Sequence, residues 1–150
     1  MDRPSLAGSI LASGIPPFAR AEMIAPEIDK GQGTAGTFVQ TSWQVDSLPS
    51  TATLRISALG LYRAFINGKR VGEDLLTPGW TCYDDRIAYQ AYEVSELLQV
   101  GENRIEIWLG DGWYRSQMMW ASAPIYNCWG DRIAAIADLE GGVTLSTDDT

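Results

Sequence analysis

The 150-residue sequence contains no histidine. That removes the side chain most often used as a general base near neutral pH and as a zinc ligand, so Ser-His-Asp and Cys-His catalysis are excluded within the chain. Cysteine is scarce: Cys82 and Cys128 lie far apart, fit no metal-ligand or CxxC spacing, and read as free thiols in a reducing compartment. Basic residues are few as well, 11 against 19 acidic ones for a formal net charge of −8. With no basic stripe to meet phosphates, nucleic acid is not an expected partner. No run approaches the ~20 apolar residues of a membrane span. The leading segment sets Asp2 beside Arg3 and interrupts a mildly apolar stretch, Leu6 to Ile15, with Gly8, Ser9, Ser13 and Gly14. It makes a poor secretory signal, and the expected location is the cytoplasm.

A chain of this length buries roughly two thirds of its unfolded surface and can hold one domain without disulfide staples. Residues 1–36 carry Pro4, Pro16, Pro17, Pro26 and Gly31-Gln32-Gly33 with no sustained period, and read as a leader or linker with at most a short helix near Pro4 to Ala12. From Phe38 the pattern changes. Val39, Thr41, Trp43 and Val45 alternate with polar neighbours, as do Ala52, Leu54, Ile56 and Ala58, the period of half-buried strands. Asn67-Gly68 between Leu61–Ile66 and Arg70-Val71 predicts a hairpin with a type I′ turn. Arg86 to Tyr92 predicts a further strand, and Ser95 a cap for one helical turn over residues 95–98. Asn103 to Leu109 sets Ile105, Ile107 and Leu109 on one face against Arg104, Glu106 and Trp108 on the other. Ile133 to Leu139 and Val143 to Ser146 complete the set. Many short strands with turns between them predict an antiparallel β-sandwich over residues 37–150.

The stretch SALGLYRAFINGKRVGEDLLTPGWTCYDDRIAYQAYEVSELLQVGENRIEIWLGDGWY, Ser57 to Tyr114, resembles the N-terminal domain of bacterial α-L-rhamnosidases of glycoside hydrolase family 78. The ALGLY, NGKRVG and PGWT segments with the terminal LGDGWY carry the resemblance in combination. YEVSELLQVGEN is also similar to the sugar-binding jelly-roll domains of other glycosidases. Glu93, Ser95 and Ser116 stand where the family usually has Asp, Thr and Gly. The resemblance implies a jelly-roll, galactose-binding-domain-like sandwich that precedes a larger (α/α)6-barrel catalytic domain absent from this sequence. The family continues the sandwich beyond the position of Thr147 to Thr150, so the expectation is a fragment lacking its last strands.

It further implies an inverting hydrolase acting on terminal α-L-rhamnosyl residues, whose two carboxylic acids, about 6.5 to 9.5 Å apart, belong to the barrel. Within this chain no catalytic residue is expected. Asp84 and Asp85 are neighbours on an extended segment, point to opposite faces, and read as a solvated turn. Asn67 and Gly68 are accounted for by turn chemistry. In Pro78-Gly79-Trp80 the indole either seals one end of the sandwich or faces a sugar or the absent domain.

In Leu109 to Ser116, LGDGWYRS, glycines on both sides of Asp111 let the backbone turn and aim Trp113, Tyr114 and Arg115 out of the sheet end. Sugars stack their C–H faces on aromatic rings and hydrogen-bond carboxylates and guanidinium groups, and this octapeptide supplies all of these. Two readings stand side by side: Trp113 fills the sandwich mouth while Asp111 caps backbone N–H groups, or Trp80, Asp111, Trp113, Tyr114 and Arg115 form a carbohydrate or interdomain contact. The apolar loop with Met118, Met119, Trp120, Tyr126 and Trp129 reads as an interface to the absent barrel. The function expected is a non-catalytic accessory domain, with rhamnose-containing glycans or glycosides and that barrel as partners and no cofactor or metal. The rivals are a calcium-assisted carbohydrate-binding module, with Asp111 and backbone carbonyls holding the ion, and a structural spacer.

Overall fold

The computed structural model of the chain describes residues 18–117 and 125–148. The helix expected near Pro4 to Ala12 and the apolar residues Met118, Met119 and Trp120 lie outside the described residues. Among the described residues there are eight strands: β1 (Thr37–Val45), β2 (Thr53–Leu59), β3 (Leu61–Ile66), β4 (Lys69–Arg70), β5 (Gln90–Glu93), β6 (Gly101–Gly110), β7 (Ala134–Glu140) and β8 (Leu145–Ser146). They form two four-stranded antiparallel sheets, ordered β1-β6-β3-β4 and β5-β2-β7-β8.

The alternation in the sequence decides which side chains meet between the sheets. Tyr62, Ala64 and Ile66 of β3 and Ile105, Ile107 and Leu109 of β6 face Leu54, Ile56 and Ala58 of β2 and Ala135, Ala137 and Leu139 of β7 in one core. Each large aliphatic side chain fully withdrawn from water there contributes about 1.5–3 kcal/mol before entropy is counted. The result is the jelly-roll sandwich. At the side where β1 and β8 form the sheet edges the layers part, leaving a groove of about 330 Å³ between Val39, Ile105, Leu139 and Leu145.

The β3–β4 hairpin closes as expected, with Ile66 opposite Lys69 and positive φ at Asn67 (51°) and Gly68 (75°). Asn67 does more than turn. Its amide donates to the Leu97 carbonyl (2.9 Å) and Asn103 Oδ1 (2.8 Å), and its Oδ1 accepts the Arg104 N–H (3.0 Å), which fastens the hairpin to the start of β6. Two local expectations are corrected. Only Gln90–Glu93 of the stretch from Arg86 pairs with β2, because the Ser57 hydroxyl donates to the Ala88 carbonyl (2.6 Å) and takes the chain out of the ladder. The turn Ser95–Leu97 is a 3-10 turn without a side-chain cap from Ser95. Glu93 serves instead, its Oε1 accepting the N–H groups of Ser95 (3.1 Å) and Ala52 (3.0 Å). Those N–H groups, Ala52 first, hold its carboxyl below the ordinary value.

Residues 18–36 run along the sandwich between turns at 18–20 and 32–34. Ile24 exchanges both backbone hydrogen bonds with Ala135 (2.9 Å each), and the Phe18 N–H donates to Asp138 Oδ2 (2.9 Å). Asp138 is buried beside Arg55, which also binds Glu140 (2.8 Å).

Candidate functional site

One end of the sandwich gathers the C-terminus of β6 and the starts of β1, β3 and β7. The register puts Gly110 opposite Leu61 and Leu109 opposite Thr37. Past Gly110 the chain turns through Asp111 into a single helical turn, α1 (Gly112–Arg115). Gly112 is the glycine the turn requires: its φ is +53°, and a Cβ there would lie 2.6 Å from Leu61 Cγ. Gly110 has open space around it and ordinary φ.

The helical turn swings the Arg115 side chain back under Asp111. Arg115 is 2% exposed. Its Nε donates to Asp111 Oδ1 (2.7 Å), its Nη1 to the Asp29 carboxylate and the Asp131 carbonyl (3.2 Å), and Asp111 Oδ2 accepts the Gly33 N–H (2.7 Å). Burial works against the guanidinium charge, but the hydrogen bonds to Asp29 and Asp111 outweigh it and hold the Arg115 pKa above its ordinary value. The same bond from Arg115 keeps the Asp29 carboxyl below the usual carboxylate range. Asp29 therefore stays ionised and has no proton to lend a leaving group. Both carboxylates are spent on one buried cation, and this cluster ties residues 29–33 to the end of β6. A calcium ion at Asp111 would compete with Arg115 and Gly33 for both oxygens, and among the described residues no three of Cys, Asp or Glu converge as a metal site.

The aromatic pair behind Asp111 separates into two roles. Tyr114 packs inward, edge-on to Tyr83 (5.2 Å between centroids), with its hydroxyl against Gly130, where any Cβ would collide with it. Tyr83 also meets Trp129 (5.6 Å). Trp113 turns the other way and stacks on Trp80, centroids 6.3 Å apart and planes within 6° of parallel. Trp80 is 58% exposed, and its loop also exposes Leu75 and Leu76. Of the residues singled out in the sequence, the structure thus brings together Trp80 with Trp113 and Asp111 with Arg115, and sets Tyr114 in a separate packed cluster. Asp84 and Asp85 are exposed in a turn closed by N–H bonds to the Cys82 carbonyl (3.0 Å). Asp29, the second partner of Arg115, gave no sign of itself in sequence. Trp108 did: it occupies the polar phase of β6, and it is 53% exposed on the outer face of its sheet.

A family model described as the α-L-rhamnosidase N-terminal domain matches residues 47–150. A curated α-L-rhamnosidase of Streptomyces avermitilis is 42% identical over 91 residues, which cover 61% of this chain and 8% of that protein. Among solved structures, the α-L-rhamnosidase from Aspergillus terreus superposes with a TM-score of 0.77 at 32% identity, covering 88% of this chain and 16% of the other. The Streptomyces avermitilis α-L-rhamnosidase complexed with L-rhamnose gives 0.67 at 32% identity, covering 74% and 11%. The chain spans less than a fifth of the length of each of these relatives.

Proposed function

Because the chain belongs to the family of α-L-rhamnosidase N-terminal domains, we propose that it serves as the non-catalytic accessory domain of a larger α-L-rhamnosidase, which removes terminal α-L-rhamnosyl residues from glycosides. The Trp80–Trp113 end is its contact with the remainder of that enzyme, beside the sugar site. The observation that carries this reading is the stack of a 58% exposed indole, Trp80, on a second one, Trp113, whose helical turn is anchored by the buried Arg115 ion pairs. A ring pair packed only for its own core would bury both faces. An exposed one, beside Leu75 and Leu76, presents apolar area that a partner surface covers. Cys82 and Cys128 are free, exposed thiols, which supports a reducing compartment.

The test uses the complete enzyme and an aryl α-L-rhamnoside. Trp80→Ala and Trp113→Ala each lower kcat/KM about tenfold, equivalent to about 1.4 kcal/mol, while Trp80→Ala leaves the unfolding free energy within about 1 kcal/mol. The 150-residue chain alone shows no turnover. Unchanged kcat/KM in both variants, or turnover by the isolated chain, overturns the proposal.

A further inference from the structure

A second surface lies away from this end, on the outer face of the β1-β6-β3-β4 sheet. The register sets Phe38 and Arg63 directly across from Trp108 on its two sides, and Gln40 and Phe65 across from Glu106 one step along. Directly opposed residues in antiparallel strands share a face, so these six side chains form two adjacent rows. Phe38 and Trp108 are 51% and 53% exposed. Phe65 leans on Trp108 with centroids 5.5 Å apart. Glu106 takes the indole N–H (3.3 Å) and pairs with Arg104 (3.0 Å), which orients the ring and neutralises the carboxylate. Arg63 is exposed and has no ion-pair partner among the described residues, although the chain carries eight more acidic than basic groups.

We propose that this face binds an acidic glycan, a chain of uronic acid units, with a pyranose C–H face stacked on Trp108 and the unit's carboxylate on the Arg63 guanidinium. The choice of occupant follows from the pattern. Flat aromatic surface suits a sugar ring, and an unpaired guanidinium beside it, with its fork of donors, suits a carboxylate better than a hydroxyl. A protein partner would need about 800 Å² per side with a charge-poor centre, whereas here the charged side chain stands next to the central indole. The acidity of the rest of the chain does not forbid an anionic ligand, because charges beyond about 8 Å are largely screened at physiological ionic strength.

Affinity electrophoresis of the full chain in gels containing polygalacturonate, neutral dextran or dextran sulfate tests the assignment, with near-ultraviolet circular dichroism as the control for folding. Polygalacturonate retards the chain at least twofold more than either of the others. Trp108→Ala and Arg63→Gln each remove most of that retardation, and Trp108→Phe, which keeps a ring, retains part of it. The inference is overturned if the folded chain is not retarded, or if dextran sulfate retards it equally. It also fails if Trp108→Ala binds as well as the parent, or if sedimentation shows the face self-associating instead.

Discussion

Asn103 is fully buried, and every hydrogen-bonding position of its amide is used. Nδ2 donates to the carbonyls of Gln99 (2.7 Å) and Gly101 (3.0 Å), and Oδ1 accepts from Gln99 N (2.9 Å) and Asn67 Nδ2 (2.8 Å). Asn103→Ala strands those partners at the hairpin junction. Urea unfolding should give a loss of about 2–4 kcal/mol with an unchanged slope. Arg115 obeys the opposite arithmetic of charge. Arg115→Met leaves Asp29 and Asp111 facing each other without a cation and is expected to cost about 3–5 kcal/mol. Asp111→Asn keeps one acceptor oxygen for either the Gly33 N–H or the Arg115 guanidinium and turns its amide N–H towards the other donor, but it retains Asp29 as the counter-ion, so its cost should be smaller, about 2 kcal/mol. If urea unfolding gave the two variants equal losses, the buried pairing described for Arg115 would be wrong.

At the level of elements, β2 and β3 lie in different sheets and are joined by Gly60 alone. Its φ is +118°, and a Cβ would fall inside contact distance of the Gly110 carbonyl oxygen. Gly60→Ala is expected to cost more than about 2 kcal/mol, read as a drop in the thermal midpoint, because both the conformation and the space exclude a side chain. The strands themselves were legible in the sequence wherever a local period or a turn dipeptide sufficed: β2, the β3–β4 hairpin and β6 follow from alternation and Asn-Gly. What escaped was set by distant partners. The ladder stops at Gln90 because of Ser57, more than thirty residues earlier, and the single turn after β5 is closed by Glu93 because its carboxylate also reaches Ala52. The candidate site divides along the same line. Gly-Asp-Gly-Trp-Tyr announced a shaped loop, but no local rule says that Arg115 would be buried on Asp29, or that Trp113 would meet Trp80 while its neighbour Tyr114 packs away from it.

For the molecule as a whole, two effects oppose each other as acid is added. The net charge of −8 at neutral pH falls towards zero near a pI of about 4.4, relieving self-repulsion. Glu93 and Asp29 work the other way, because their folded-state pKa values lie below the ordinary 4.5 and 3.8. A depressed carboxylate stabilises the fold fully above its unfolded pKa and loses that contribution as pH falls through its folded pKa. Stability should therefore change little or rise from pH 7 to about 5 and fall below about 4.5. Glu93→Gln should lower the plateau and make the acid limb shallower in urea midpoints taken across that range. The sheet order has a consequence in time rather than energy. Of the described strands β1 is made first, but the partner it has among them is β6, with Val45 opposite Gly101 and Thr37 opposite Leu109. At about 5–20 residues per second of synthesis, β1 waits on the order of several seconds with Val39 and Trp43 uncovered. During that interval the nascent chain offers a bare strand to whatever stands at the ribosome exit.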